Sequence, residues 1–322
     1  MKYFENAREG KNHWLLYVAL LAIGYVVAQI PSVVYMPILY VRKAINGEMP
    51  GLQNGDFSEA IKTSMNMLND LPGFVVLMLS FVFWIGATWL LFKPFHKRDR
   101  ITLISGEKRF RLGRFFLGVV GYFVMMGLVT VVSLLISPET NITFQFDGSK
   151  YIVFVILAII LVPFQTGCEE LIFRGYLMQG LGLCTKSKIW ALVITSVTFG
   201  LMHSINPEVF EYGFFKAIPV FIFMGAMLGF FTVIDDGIEF SWGIHFINNF
   251  VAFTIFGNEG STFGASPLFV QGKEEFSIAM WLTPILVTVV MYALLHKKLG
   301  WNLKDAFDAN GLKKEVVVET EN

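Results

Sequence analysis

The sequence predicts an all-α polytopic membrane helix bundle of about eight transmembrane helices, forming a single integral membrane domain over residues 1–322. Three observations predict it. Charged residues make up 16% of the chain, well below the roughly 25% of soluble proteins, while 55% of residues are apolar. Mean hydropathy is +0.60, more than a water-facing surface would permit. The apolar residues also gather into runs of the ~20 residues that a helix needs to cross a bilayer. Lys plus Arg equals Asp plus Glu at 25 each, which leaves no net field to attract nucleic acid.

The runs cover residues 14–40, 72–92, 115–136, 151–173, 189–206, 216–234, 241–256 and 278–296. The first is too long for a secretory signal, lacks a small-residue cleavage site and is followed by further spans, so it reads as a true span. Pro31 and Pro37 predict kinks in it; Pro163, Pro219 and Pro284 predict them in the fourth, sixth and eighth runs. Of the 25 Lys and Arg residues, 19 fall in the segments that share a side with the amino terminus and 6 in the others. Basic residues concentrate on the cytoplasmic face, so both termini are expected there, in the cell membrane. The run His96-Lys97-Arg98-Asp99-Arg100 reads as a topology signal in contact with lipid headgroups. The mixed-charge tail after His296 is expected to fray or lie at the interface. Gly225 and Gly229 predict close helix packing within the chain. Cys168 and Cys184 lie in or beside apolar segments and read as buried thiols rather than a disulfide framework.

Ionisable groups inside a span are costly and mark function by default. Among the acidic residues, Glu169 and Glu170 lie within a predicted span, and Asp235 and Asp236 lie at a span end. His203 and His245 are the histidines in apolar surroundings. Charges at mid-helix cost about 3 kcal/mol each, against roughly 0.3 to 0.6 gained per strong hydrophobe, so Glu169, Glu170 and Arg174 must be paired or wet. Glu170 and Arg174 are four apart on one helix face and suit an ion pair. Glu169 is rotated by about 100° and is left without a local partner, as a water-activating base would be. A purely structural network of all three is the competing reading. His203 follows Phe199 by one turn, and His245 and Asn249 share a face four apart, poised either to bond a neighbouring helix or to donate to an oxyanion.

The ordered set Glu-Glu-x-x-x-Arg (169–174), Phe-x-x-x-His (199–203) and His-x-x-x-Asn (245–249) resembles the CAAX protease and bacteriocin-processing family of intramembrane endopeptidases, the CPBP or Abi proteins. The resemblance covers the motif-bearing helices at 150–256, about a third of the chain. It implies peptide-bond hydrolysis in or beside the bilayer on a peptide or membrane-protein substrate. Glu169 would activate the water and His203 would hold or polarise it. His245 and Asn249 would stabilise the oxyanion, and Glu170 with Arg174 would shape the site. For Glu169 to reach His203 and His245, the fourth helix must continue to about Gly180.

No cofactor is favoured. Zinc on Glu169, His203 and His245 is chemically open, but the chain lacks the His-Glu-x-x-His helix and the resemblance points to a glutamate mechanism. Two other classes compete: a peptide-sequestering immunity protein, and a proton-coupled transporter using the same intramembrane groups. Against the transporter stands the absence of paired broken helices in two halves. Neither the substrate nor the oligomeric state is assigned by any motif.

Overall fold

The computed structural model describes residues 2–46, 70–136, 141–258, 266–272, 275–308 and 312. After a short α1 (Lys2–Asn6), the first apolar run forms two helices, α2 (Trp14–Ala28) and α3 (Ile30–Ile45). The expected kink at Pro31 is instead a break. Pro31 falls in the first turn of α3, and the Gln29 N–H bonds back to Val26. A proline has no N–H to continue the ladder. Next come α4 (Leu71–His96), whose first turn is capped by Asp70 accepting from the Gly73 N–H at 2.8 Å, and α5 (Leu112–Ile136).

The fourth apolar run is the longest. Helix α6 (Gly148–Glu170) passes without interruption into a π-helical stretch, Leu171–Leu177, and then into α7 (Met178–Thr185), giving a 38-residue span. The expected extension to Gly180 is therefore present and exceeded. Helix α8 (Lys188–Met202), short α9 (Pro207–Tyr212), α10 (Phe214–Ile234), α11 (Glu239–Thr254), α12 (Ala279–Leu299) and α13 (Leu303–Ala306) complete the helices. Among the described residues, six spans are long and apolar enough to cross a membrane: Trp14–Arg42, Leu71–His96, Leu112–Ile136, Gly148–Thr185, Phe214–Ile234 and Ala279–Leu299. The other two runs of the expected eight became α8 and α11, of 15 and 16 residues. At ~1.5 Å per residue these fall short of a ~30 Å hydrocarbon layer.

Burial explains the difference for α11. Helix α5 buries only Gly118, Tyr122 and Met125 and turns most of its surface outward, whereas α11 buries ten of its 16 residues. The short helix is thus enclosed by other helices. Glycines let backbones approach it: a Cβ on Gly118 would strike the Phe240 carbonyl, and one on Gly243 would strike that of Phe115. Gly225 and Gly229 of α10 pack on Ser196 and Leu192 of α8 in the same way, so that motif serves packing within the chain. Where α11 ends, three short strands form a small sheet in the order β1 (Ile142–Phe144), β3 (Phe269–Gln271), β2 (Phe256–Asn258), which the all-α expectation did not include.

The opposite end is tied together by charge. Asp236 accepts from the Lys2 and Tyr3 backbone N–H groups at 3.2 and 3.0 Å, and Arg111 pairs with Glu239 at 2.7 Å and Asp235 at 3.2 Å. The Arg8 guanidinium donates to the Leu312 carbonyl at 2.8 Å, so segments near both termini meet at this end. The basic run behaves differently from its lipid-facing expectation. Arg98 is buried, donating to Gln179 at 2.8 Å and lying over the Phe92 ring, and buried His96 bonds Tyr176 at 2.7 Å. Those partners come from distant helices, which a local run of charge does not reveal. Of the two free thiols, Cys168 is buried as expected but Cys184 is exposed, because it falls on the outward face of the last turn of α7. Most of the tail, 309–311 and 313–322, lies outside the described residues, as does Lys62 of the basic-residue count.

Candidate active site

Helices α6 and α11 run antiparallel. Tyr151 donates to the Thr254 carbonyl at 3.0 Å near one end, and Trp242 donates to the Pro163 carbonyl at 3.1 Å nearer the other. The Trp242 ring rests on Gly167, where any Cβ would meet it at 2.5 Å. This register brings His245 against Glu170 and Asn249 against Gln165.

Glu170 is fully buried and its Oε1 accepts from Arg174 Nη1 at 2.8 Å and from His245 Nδ1 at 2.8 Å. Arg174 also donates to the Gly225 carbonyl at 3.2 Å and stands 4.4 Å from the Phe199 ring centroid. With Nδ1 directed at a carboxylate, His245 turns Nε2 toward Glu169 Oε2 at 3.5 Å. Two carboxylates face a single guanidinium here, with the His245 ring between them.

The depth difficulty posed by the sequence disappears. From Glu169 to the end of α7 at Thr185 is about 24 Å of helix, and from Lys188 to His203 about 22 Å; both run from the same turn between α7 and α8. Glu169 and His203 therefore reach the same level, and together with Asn249 and Gln165 they line one cavity of about 260 Å³. Its remaining wall is largely apolar, including Leu77, Phe81 and Trp84 of α4 and Phe253 of α11. His203 is the terminal cap of α8. Its Nδ1 lies 2.7 Å from the Phe199 carbonyl, which can only accept, so Nδ1 carries the proton and Nε2 presents a lone pair. Stacking on Phe221, with ring centroids 4.5 Å apart, fixes the ring plane.

The structure thus brings Glu169, His203, Asn249, His245, Glu170 and Arg174 together, with Glu170, Arg174 and His245 behind the cavity wall rather than lining it. The expectation that Glu169 has no local partner is corrected: Gln165, one turn earlier on the same helix, donates from Nε2 to Glu169 Oε1 at 2.6 Å. Gln165 is absent from the expected site residues because a neutral amide in a span carries no charge to mark it. The four-residue spacing to Glu169 was the available signal. As for zinc, among the described residues no group of three or more His, Cys, Asp or Glu is arranged to hold a metal ion. His245 directs its two ring nitrogens at Glu170 and Glu169.

The family model for type II CAAX prenyl endopeptidase, Rce1-like, matches residues 148–251, from the first residue of α6 into α11. An uncharacterized protein of Bacillus subtilis (strain 168), YyaK, is 30% identical over 221 residues, covering 68% of this chain and 74% of the relative. The chain belongs to the Rce1-like family. No solved structure matches it. The Rce1-like segment contains all three motifs and the whole of the network described above. Membership supports an intramembrane endopeptidase, a multi-pass membrane protein of the CAAX protease-like kind acting on peptide substrates.

Proposed function

We propose that this protein hydrolyses a peptide bond within or at the edge of the bilayer with a water activated by Glu169. The observation that carries the reading is that Glu169, His203 and Asn249 line one largely apolar cavity. A water held between the Glu169 carboxylate and His203 Nε2 attacks the scissile carbonyl carbon and gives its proton to Glu169. The tetrahedral oxyanion is met by the Asn249 amide, with the His245 ring behind it. The carbon–nitrogen bond then breaks as Glu169 returns the proton to the leaving amine. Glu170 and Arg174 hold His245 in line.

On this reading no metal is obligatory, both termini face the cytoplasm of the cell, and the substrate is a peptide or membrane-protein segment entering from lipid. Both an unmodified apolar peptide and a prenylated one, as the family description names, fit an apolar cavity wall. Comparative proteomics of small secreted peptides from cells carrying the wild type or Glu169→Gln tests the function. The variant should lose cleavage altogether, and unchanged processing would overturn the proposal. A bacteriocin-immunity protein that only sequesters its peptide would still protect cells in that variant, and a proton-coupled transporter would show no change in peptide termini.

A further inference from the structure

We infer that Gln165 is a positioning residue that locks Glu169 and Asn249 into a single working arrangement; the inference rests on the hydrolytic reading above. Gln165 is buried at the cavity wall and makes the last two bonds of a chain of four hydrogen bonds that share one direction. The Tyr122 hydroxyl donates to Asn248 Oδ1 at 3.3 Å, and Asn248 Nδ2 donates to Asn249 Oδ1 at 3.0 Å. Asn249 Nδ2 donates to Gln165 Oε1 at 3.0 Å, and Gln165 Nε2 donates to Glu169 Oε1 at 2.6 Å. Every donor points toward the carboxylate, across α5, α11 and α6.

The direction is imposed from the carboxylate end. An ionised carboxylate only accepts, so Gln165 must present its NH2 to Glu169 and its carbonyl to Asn249. A flipped Gln165 would set oxygen against oxygen at Glu169 and NH2 against NH2 at Asn249. The carbonyl of Gln165 in turn forces Asn249 to present its NH2, the donor end that an oxyanion requires. Aligned chains of this kind polarise one another. Gln165 therefore fixes the placement of the base and the orientation of the oxyanion donor together, without touching the reacting atoms.

Gln165→Met keeps the size of the side chain and removes both bonds. Its substrate is the peptide whose processing stops in Glu169→Gln. Against this peptide, kcat should fall on the order of a hundredfold, as for a reacting group misplaced by about 1 Å, with KM little changed and the melting temperature retained. The double variant Gln165→Met/Asn249→Ala should be no slower than the slower single variant, because one arrangement is lost in each. Retained kcat in Gln165→Met, or losses that multiply in the double variant, would overturn the inference. A substrate-independent readout is the side-chain amide of Gln165 in ¹⁵N-glutamine-labelled protein in lipid nanodiscs, assigned as the resonance missing from Gln165→Met. It should move in both Glu169→Gln and Asn249→Ala, and a resonance unmoved by either sinks the inference. Continued cleavage by Glu169→Gln would instead overturn the hydrolytic reading and leave the amide result standing by itself.

Discussion

Arg174 shows how a single side chain sets the chemistry of its neighbours. It is the largest fully buried side chain among the described residues, and it neutralises the carboxylate that orients His245. Removing one partner of a buried pair leaves an uncompensated charge at a cost of about 3 to 5 kcal/mol. Arg174→Ala should therefore unfold at markedly lower temperature in a detergent or nanodisc melt, while Arg174→Met combined with Glu170→Gln should recover much of the loss. A combined variant as unstable as Arg174→Ala would mean that packing, not charge, dominates there. Spacing alone revealed the Glu170–Arg174 pair because both lie on one helix. The bond from His245 Nδ1 to Glu170 joins residues 75 positions apart and could not be read from either segment. Gln165 was hidden differently, since a neutral amide near the end of an apolar run resembles ordinary interhelical packing.

At the scale of elements, hydrophobic runs located every long helix among the described residues but did not distinguish α11, enclosed by protein, from the helices that turn apolar faces outward. Helix α8 differs from the six longer spans in length, and α11 in length and in carrying Glu239, His245, Asn248 and Asn249. The glycines carry the missing information. Gly118 and Gly243 allow α5 and α11 to touch backbone to backbone, and α11 bears two of the site residues. Gly243→Ala should cost about 1 to 3 kcal/mol by overpacking and should also slow cleavage, because α11 is displaced from α6. Gly127→Ala on α5, where a Cβ meets nothing within 4 Å, is the control and should change neither. Equal behaviour of the two variants in a thermal melt would contradict the packing assigned to α11.

For the whole molecule, the two cysteines provide a probe of orientation. Cys184 is exposed in the last turn of α7, at the end where Phe4 packs on Gly182, and Cys168 is buried. If the charge distribution sets topology, a membrane-impermeant maleimide should label Cys184 in inside-out vesicles and not in intact cells, with Cys184→Ser abolishing the signal. Labelling from the outer face would reverse the proposed orientation. A second measurement bears on the chemistry: dialysis against a strong chelator should leave cleavage intact, and activity lost to chelation and restored by zinc would replace the glutamate mechanism with a metal-dependent one. Global class was legible from composition because lipid solvation constrains the average residue. Which charged groups turn inward depends on tertiary partners, as the buried His96 and Arg98 show.

The π-helical stretch at Leu171–Leu177 changes how the site responds to a one-residue deletion. Such a stretch closes i→i+5 rings in place of i→i+4 and so accommodates one more residue than the α-helix around it. Deleting a single residue between Glu170 and Arg174 would let the helix close into regular turns without a break and with scarcely altered hydropathy. The chain would still insert and still look like the same membrane protein, with Arg174 three residues from Glu170 instead of four, a spacing that still shares its face. Among relatives, a one-residue gap at this point would therefore not mark the loss of the ion pair.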